Sequence, residues 1–243
     1  MQMPATPGRF LLQRDCVGKK RQDSSMFVPP PPHVRRKPRL HDPYADAAVL
    51  PEGETVELAQ LFPGDGPLEI EIGGGRGAFA FERVEFDQEV RLLGLEIRRK
   101  WAAIVDRKLV AAGLGARARV FAEDARLALP RLRPSGSIRA VFMHFPDPWW
   151  KKRHEKRLVL GDHVQVEIER LLMPGGAFFV QTDVPHRFEQ YQAFLDQRVD
   201  LEPFGDEPGS PLLAENPYGA RSPREKRAIT DGLPVHRLRY RRR

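Results

Sequence analysis

The chain has 243 residues, 41% of them hydrophobic, 30% charged and 9% aromatic, with a formal net charge of +7. That length suits one α/β domain with a core large enough to fold without disulfide or metal staples. No run of about 18 apolar residues occurs, Phe10-Leu11-Leu12 is too short for a secretory leader, and Cys16 is the only cysteine, so a reduced cytosolic protein is expected rather than a membrane-spanning or exported one.

The charge is unevenly placed. Residues 1–50 hold nine Lys/Arg against four Asp/Glu, and residues 217–243 hold nine against two, which leaves 51–216 with a net charge of −5. One island in that acidic body reverses the sign: Lys151, Lys152, Arg153, Lys156 and Arg157 against Glu155. Basic arms on an acidic body fit a polyanionic partner, most simply a nucleic acid, although basic tails can also serve only as solubilising segments.

Residues 1–43 carry the proline run Pro29–Pro32, scattered charge and no apolar periodicity, and are expected to form a flexible basic arm ahead of a domain spanning 44–243. From about residue 55, short apolar stretches alternate with longer amphipathic ones, the pattern of βαβ units and a parallel sheet. Strands are predicted at Leu68–Ile72, Arg91–Glu96, Ala118–Ala122, Ile138–Phe145, Ala177–Gln181 and Val235–Tyr240. A helix is predicted over Arg98–Ala112, with Trp101, Ile104, Val105 and Leu109 on its buried face and Gly113 as its stop. A second runs from about Leu158 to Leu172, halted by Pro174-Gly175-Gly176, and a third follows Pro185 and buries Phe188, Tyr191 and Leu195. Right-handed crossovers between such units give a doubly wound sheet that binds ligands at the carboxyl ends of its strands.

The first of these strands ends in Glu71-Ile72-Gly73-Gly74-Gly75-Arg76-Gly77. Glycines there permit a tight turn and close approach of a ligand at a helix start. Gly73, Gly75 and Ala78 fit a dinucleotide fingerprint; Glu71, Gly73, Gly75 and Gly77 instead resemble the first motif of S-adenosylmethionine-dependent methyltransferases; a turn with no ligand is the third reading. Glu96, 21 residues after Gly75, suits ribose hydroxyls of either cofactor. Glu71 favours the methyltransferase reading, because a carboxylate repels a pyrophosphate and suits a cationic sulfonium ligand. Asp124 adds a third acid at a third strand end.

The most specific stretch is Phe145-Pro146-Asp147-Pro148-Trp149, followed by the Lys151–Arg157 cations. Two prolines stiffen the backbone around Asp147, which suits a carboxylate held beside a base and its phosphates. A stiff turn leading into a solvated basic helix is the plainer reading, and Trp149 is equally suited to core packing. His144, His154, His163 and His186 have no metal-ligand spacing, no H-E-x-x-H occurs, and no metal is expected.

These residues resemble the signature of the bacterial tRNA (guanine-N7)-methyltransferases. The resemblance runs from about Leu68 to the C-terminus, with Leu93–Ile97, Gln181-Thr182-Asp183 and Ser222-Pro223-Arg224-Glu225 as further matching pieces. It implies a Rossmann-like doubly wound methyltransferase sheet, mostly parallel with an antiparallel C-terminal strand. It also implies S-adenosylmethionine as cofactor and tRNA as partner, with N7-methylguanosine in the variable loop as product. By the same resemblance Glu71, Gly73, Gly75, Glu96, Asp124 and Asp147 would contact the cofactor, Asp147 would be catalytic, and Lys151, Asp183, Ser222, Pro223, Arg224 and Glu225 would contact the tRNA. The sequence departs from the family at Trp150, where proline is usual, at Gly74, where bulkier residues are common, and at Ser222, which replaces threonine but keeps the hydroxyl. Ser222-x-x-Glu225 with Pro223 at the first helical position also reads as a helix capping box. A non-catalytic RNA-binding protein on the same fold and an NAD(P)-binding oxidoreductase are the alternatives. The sequence leaves monomer and homodimer open.

Overall fold

Leu68-Glu69-Ile70-Glu71-Ile72 alternates apolar and acidic residues, which on an antiparallel strand would put the acids in water. In the computed structural model all five residues are buried. The reason is position, since this strand has neighbours on both edges and helices over both faces. The structure describes residues 42–146 and 159–243; the rest, including the Pro29–Pro32 run, Asp147, Trp149 and the Lys151–Arg157 island, lie outside the described residues.

In chain order the elements are β1 (Val56–Glu57), α1 (Leu58–Leu61), β2 (Leu68–Ile72), α2 (Ala78–Phe86), β3 (Arg91–Leu95), α3 (Arg99–Ala111), β4 (Ala118–Phe121), α4 (Ala125–Ala128), β5 (Leu132–Arg133) and β6 (Ile138–His144). Then follow α5 (Asp162–Leu171), β7 (Leu172–Thr182), α6 (Pro185–Leu195), β8 (Leu201–Pro203), α7 (Pro223–Thr230) and β9 (His236–Arg242). Seven strands form one sheet in the order β4-β3-β2-β6-β7-β9-β8, while β1 and β5 pair separately. The first five strands of that order run parallel; β9 is antiparallel to both β7 and β8. The chain leaves β2 in one direction for β3 and β4, then returns to β6 on the other side, so the carboxyl ends of β2 and β6 flank a topological switch point.

Alternation sorts the core into two layers. Ile70, Ile72, Val141, Met143, Phe178 and Val180 pack with Val164 and Ile168 of α5 and Tyr191 and Leu195 of α6. Leu92 and Val120 face the other way, against Ala80 and Val84 of α2 and Val105 and Leu109 of α3. Among the described residues no helix is long and apolar enough to cross a membrane.

Two element boundaries and one helix face differ from expectation. Helix α5 starts at Asp162 rather than near Leu158, and it does stop at Leu171. The predicted breaker Pro174-Gly175-Gly176 lies inside β7, which begins at Leu172 rather than Ala177. Gly176 belongs there because a Cβ would stand 2.9 Å from the Ile138 carbonyl oxygen of β6. On α3, Val105 and Leu109 are buried as predicted, but Trp101 and Ile104 are only half-buried.

Gly77 joins the glycine loop to α2 and adopts φ +78°, and a Cβ on it would stand 2.3 Å from Val105 Cγ1 of α3. Gly77→Ala therefore incurs both a left-handed backbone penalty and a packing clash, and should cost about 2–3 kcal/mol of stability. Urea unfolding measures this, and an unchanged midpoint would contradict the packing.

Candidate active site

The turn after β2 is fixed by hydrogen bonds within the loop and to the end of β3. Gly73 N donates to Leu95 O (2.8 Å), Gly77 N to Gly74 O (3.0 Å), and Gly75 N to Glu96 Oε2 (2.8 Å). Loop and β3 terminus are thereby one unit. Glu96 Oε1 also accepts from Arg98 N and Arg98 Nε, both at 2.9 Å, and the Arg98 side chain is 60% exposed, so Arg98 covers the buried carboxylate from the solvent side. Asp124 caps α4, its Oδ1 accepting from Arg126 N (3.0 Å), and it pairs with the Arg126 side chain. Each of these acids is followed two residues later by its arginine, in Glu96-x-Arg98 and Asp124-x-Arg126.

Glu71 is treated differently. Its carboxyl is 1% exposed, and it occupies the space a side chain at position 74 would fill, since a Cβ on Gly74 would lie 2.6 Å from Glu71 Oε2. That accounts physically for a glycine where the family often has something larger. Burial first, and the neighbouring Glu96 charge second, push the Glu71 carboxyl up to about 8. His144 Nε2 stands 4.0 Å from Glu71 Oε1, and burial pushes the His144 ring down to about 3. Near neutral pH the two face each other as neutral groups, not as an ion pair. His144 Nε2 has no hydrogen-bond partner among the described residues.

From His144 a buried polar chain crosses the sheet. Gln181 Nε2 lies 2.9 Å from His144 Nδ1 and donates to Glu225 Oε2 (2.9 Å). Glu225, fully buried, also accepts from Asn216 Nδ2 (3.0 Å) and pairs with Arg237 Nη2 (3.1 Å). Arg237 can only donate, so Glu225 is the acceptor and the Gln181 amide nitrogen must face it. His144 Nδ1 then accepts from Gln181, which places the ring proton on Nε2, aimed at Glu71.

The segment bearing Asp147 leaves the same mouth. Phe145, at the end of β6, takes the left-handed φ of 51°, uncommon for a bulky side chain. Its N–H donates to Gln181 O (2.7 Å), and Tyr191 OH donates to Pro146 O (3.2 Å), so the exit is clamped to β7 and α6. Asp147 and Lys151 themselves lie outside the described residues. At the β7 end, Asp183 is paired with Arg224. Ser222 is the N-cap of α7, its Oγ accepting from Glu225 N (3.2 Å), with Pro223 at the first helical turn. The capping geometry is therefore present, but the Glu225 side chain points into the protein rather than back to Ser222.

The structure thus gathers Glu71, Gly73, Gly75 and Glu96 in one loop unit, with Asp124 at the next strand end and Asp183 with Ser222–Glu225 on the far side of the β6 exit. The sequence reading passed over His144 except as a metal ligand, and passed over Arg98, Arg126, Asn216 and Arg237. The acid-x-Arg spacing could have found Arg98 and Arg126; nothing local marks Asn216 or Arg237.

A protein-family model described as "Putative methyltransferase" matches residues 65–238. A tRNA (guanine-N(7)-)-methyltransferase of Myxococcus xanthus is 37% identical over 174 residues, covering 72% of this chain and 82% of that protein. The protein of the same name from Anaeromyxobacter dehalogenans is 41% identical over 175 residues, covering 72% and 85%. Among solved structures, the 16S rRNA methyltransferase KamB superimposes with a TM-score of 0.55 at 14% identity, covering 75% of this chain and 91% of that one, which supports the fold.

The raised Glu71 has a thermodynamic consequence. Its neutral form is favoured in the folded state, so this contribution to stability is complete below the ordinary carboxylate pKa of 4.5 and is lost as pH rises through about 8. Above about pH 6.5, where the opposite contribution of buried His144 is already complete, unfolding free energy measured in urea should therefore fall up to about pH 8 in the ligand-free chain, and Glu71→Gln should flatten that fall. Equal slopes for the two proteins would show that Glu71 is not buried as a neutral acid.

Proposed function

The chain belongs to the tRNA (guanine-N(7)-)-methyltransferase family, and from that premise we propose that it methylates N7 of a guanine in tRNA. The expected position is the variable loop, and the expected setting is the cytoplasm, where the substrate is. The observation that carries this reading is the mouth at the β2–β6 switch point. There a glycine loop is tied to a ribose-type carboxylate through Gly75 N and Glu96, directly beside the exit of the Phe145-Pro146-Asp147 segment.

The residues fit S-adenosylmethionine. Gly73 has open space where a Cβ would stand, Glu96 turns its carboxylate into the loop, and Glu71 is an acid without a cation of its own. Such an acid suits a ligand that brings positive charge and no phosphate. When bound, the cofactor supplies the methyl group as a sulfonium substituent. Glu71, Gly73, Gly75, Glu96 and Asp124 would hold it, with Asp147 at its reacting end.

Guanine N7 carries a lone pair in the neutral base, so no proton has to be removed before attack. The protein's work is alignment in a near-attack geometry. In this reading Asp147 accepts hydrogen bonds from guanine N–H donors and offsets the positive charge that develops on the alkylated ring. The Lys151–Arg157 cations hold phosphates with little base information. On the far rim, Asp183 and the exposed Arg224 face the substrate, while Ser222 and the buried Glu225 hold α7 in place beneath them.

Labelled methyl transfer from S-adenosylmethionine to unmodified tRNA, with mapping of the product, should give N7-methylguanosine. Asp147→Ala should lower turnover at saturating tRNA and cofactor by about 100-fold or more, within the range of a lost alignment and electrostatic contact. Near-normal turnover would remove the catalytic assignment. Binding of NAD(P) without binding of S-adenosylmethionine would overturn the reading altogether.

A further inference from the structure

Helix α3 interrupts the acidic body. From Arg98 to Lys108 it carries Arg98, Arg99, Lys100, Arg107 and Lys108 against a single acid, Asp106. Asp106 does not neutralise the surface, because it is buried and bonded to Arg119 Nε (2.8 Å) and Nη2 (3.0 Å). The apolar stripe of this helix, Ala102, Val105 and Leu109, is spent on the core, which leaves the outer side mainly cationic, with Val110 its one exposed large apolar residue.

The outer side also holds two half-buried rings, and the cations are arranged over them. Arg76, in the glycine loop, stands 5.1 Å from the Trp101 ring. Lys100 Nζ lies 5.4 Å from Trp101 and 5.9 Å from Tyr44, and Arg107 stands 5.9 Å from Tyr44. The result is an alternating row, Arg76–Trp101–Lys100–Tyr44–Arg107, that begins at the glycine loop and runs along α3. Tyr44 is held in the row by the segment before it: Asp42 pairs with Arg99 at 3.6 Å, and Pro43 O accepts from Arg107 Nη2. Arg76 and Lys100 form no ion pair among the described residues. A Trp at this position was expected in the core; its place beneath two cations at the surface is what calls for another explanation.

We propose that this row is a second RNA-contact surface, on the cofactor side of the mouth, that grips backbone phosphates of the tRNA and offers its rings to unpaired bases or riboses. Alternating cations and rings match a polyanion that carries flat groups. An anionic membrane would call for a broad apolar face beside the cations, and among the large apolar residues of α3 only Val110 is exposed. The surface lies across the mouth from Asp183 and Arg224, so a bound tRNA would be held from both flanks while the β6 exit receives the base. This inference rests on the tRNA reading above for its partner, but on different residues.

The test uses the full chain, an unmodified tRNA transcript and filter binding from 50 to 300 mM salt. Lys100→Ala/Arg107→Ala should weaken binding about tenfold or more at low salt and reduce the log–log salt slope by roughly 1.4–1.8, as for two lost phosphate contacts. Tyr44→Ala should weaken binding roughly five- to 100-fold with little change of slope, as for one lost stacking platform. Lys100→Arg should restore wild-type behaviour, and S-adenosylmethionine affinity should be unchanged in all variants. If the wild type methylates tRNA and the double variant keeps its affinity and slope, this surface is wrong while the activity stands. If the wild type transfers no methyl group to tRNA, the activity itself fails, whatever the variants do. Loss of binding to phosphatidylserine vesicles with tRNA binding intact would overturn the proposal in favour of a membrane.

Discussion

Glu71 leaves the middle strand of a parallel sheet at a point where helices and neighbouring strands exclude water, and its carboxyl resists ionisation there. Much of the mouth is arranged around that burial. Gly74 has no side chain because the carboxyl occupies its place. His144 faces it as a neutral ring whose Nδ1 is taken by Gln181, and the Gln181 amide is oriented by Glu225, itself fixed by Arg237. Each donor direction follows from the next, starting at a guanidinium that cannot accept. A chain of this kind joins β2, β6, β7, β9 and α7 at one end of the sheet and connects the two flanks that the proposed reading gives to cofactor and substrate.

Two residues earlier on the same strand, Glu69 shows the opposite solution. It accepts from Arg83 Nε (2.8 Å) and from Arg139 Nη2 (2.7 Å), and Arg139 also reaches Asp87. Both acids are buried and both point to the same side of β2. The one toward the strand's amino end is satisfied by cations from the fold, as a buried carboxylate must be if it is to remain charged. The one at the strand's carboxyl end has no such cation. The difference separates an acid held by the fold's own cations from one that the proposed reading leaves for the cationic cofactor.

The charge distribution has the same logic at a larger scale. An overall charge of +7 conceals an acidic body, and acids line the mouth. Cations are grouped in the island after the β6 exit, on the C-terminal segment and along α3. In the proposed reading an anionic substrate is then held around an acid-lined pocket without competing with the cofactor for it.

Much of this was legible in the residue order. The strand at Leu68–Ile72, the glycine turn, and the acids Glu71, Glu96 and Asp124 at successive strand ends depend on neighbours close in sequence, and they stand where the residue order placed them. The Pro174-Gly175-Gly176 breaker misled because helix end and strand start coincide, and strand pairing with β6 outweighed local propensity. Trp101 fits an apolar helical face by spacing, yet cations from another loop and from its own helix draw it to the surface. Alone, the sequence determined the order of the six main strands, the three longer helices between them, and the acids at the strand ends. Only the tertiary structure decided which of those groups are paired or shielded: that Glu69 is paired with two arginines and Glu71, among the described residues, with none, and that Glu225 lies inside the protein. Burial and ionisation depend on atoms contributed by segments tens to hundreds of residues away, and no local pattern carries that information.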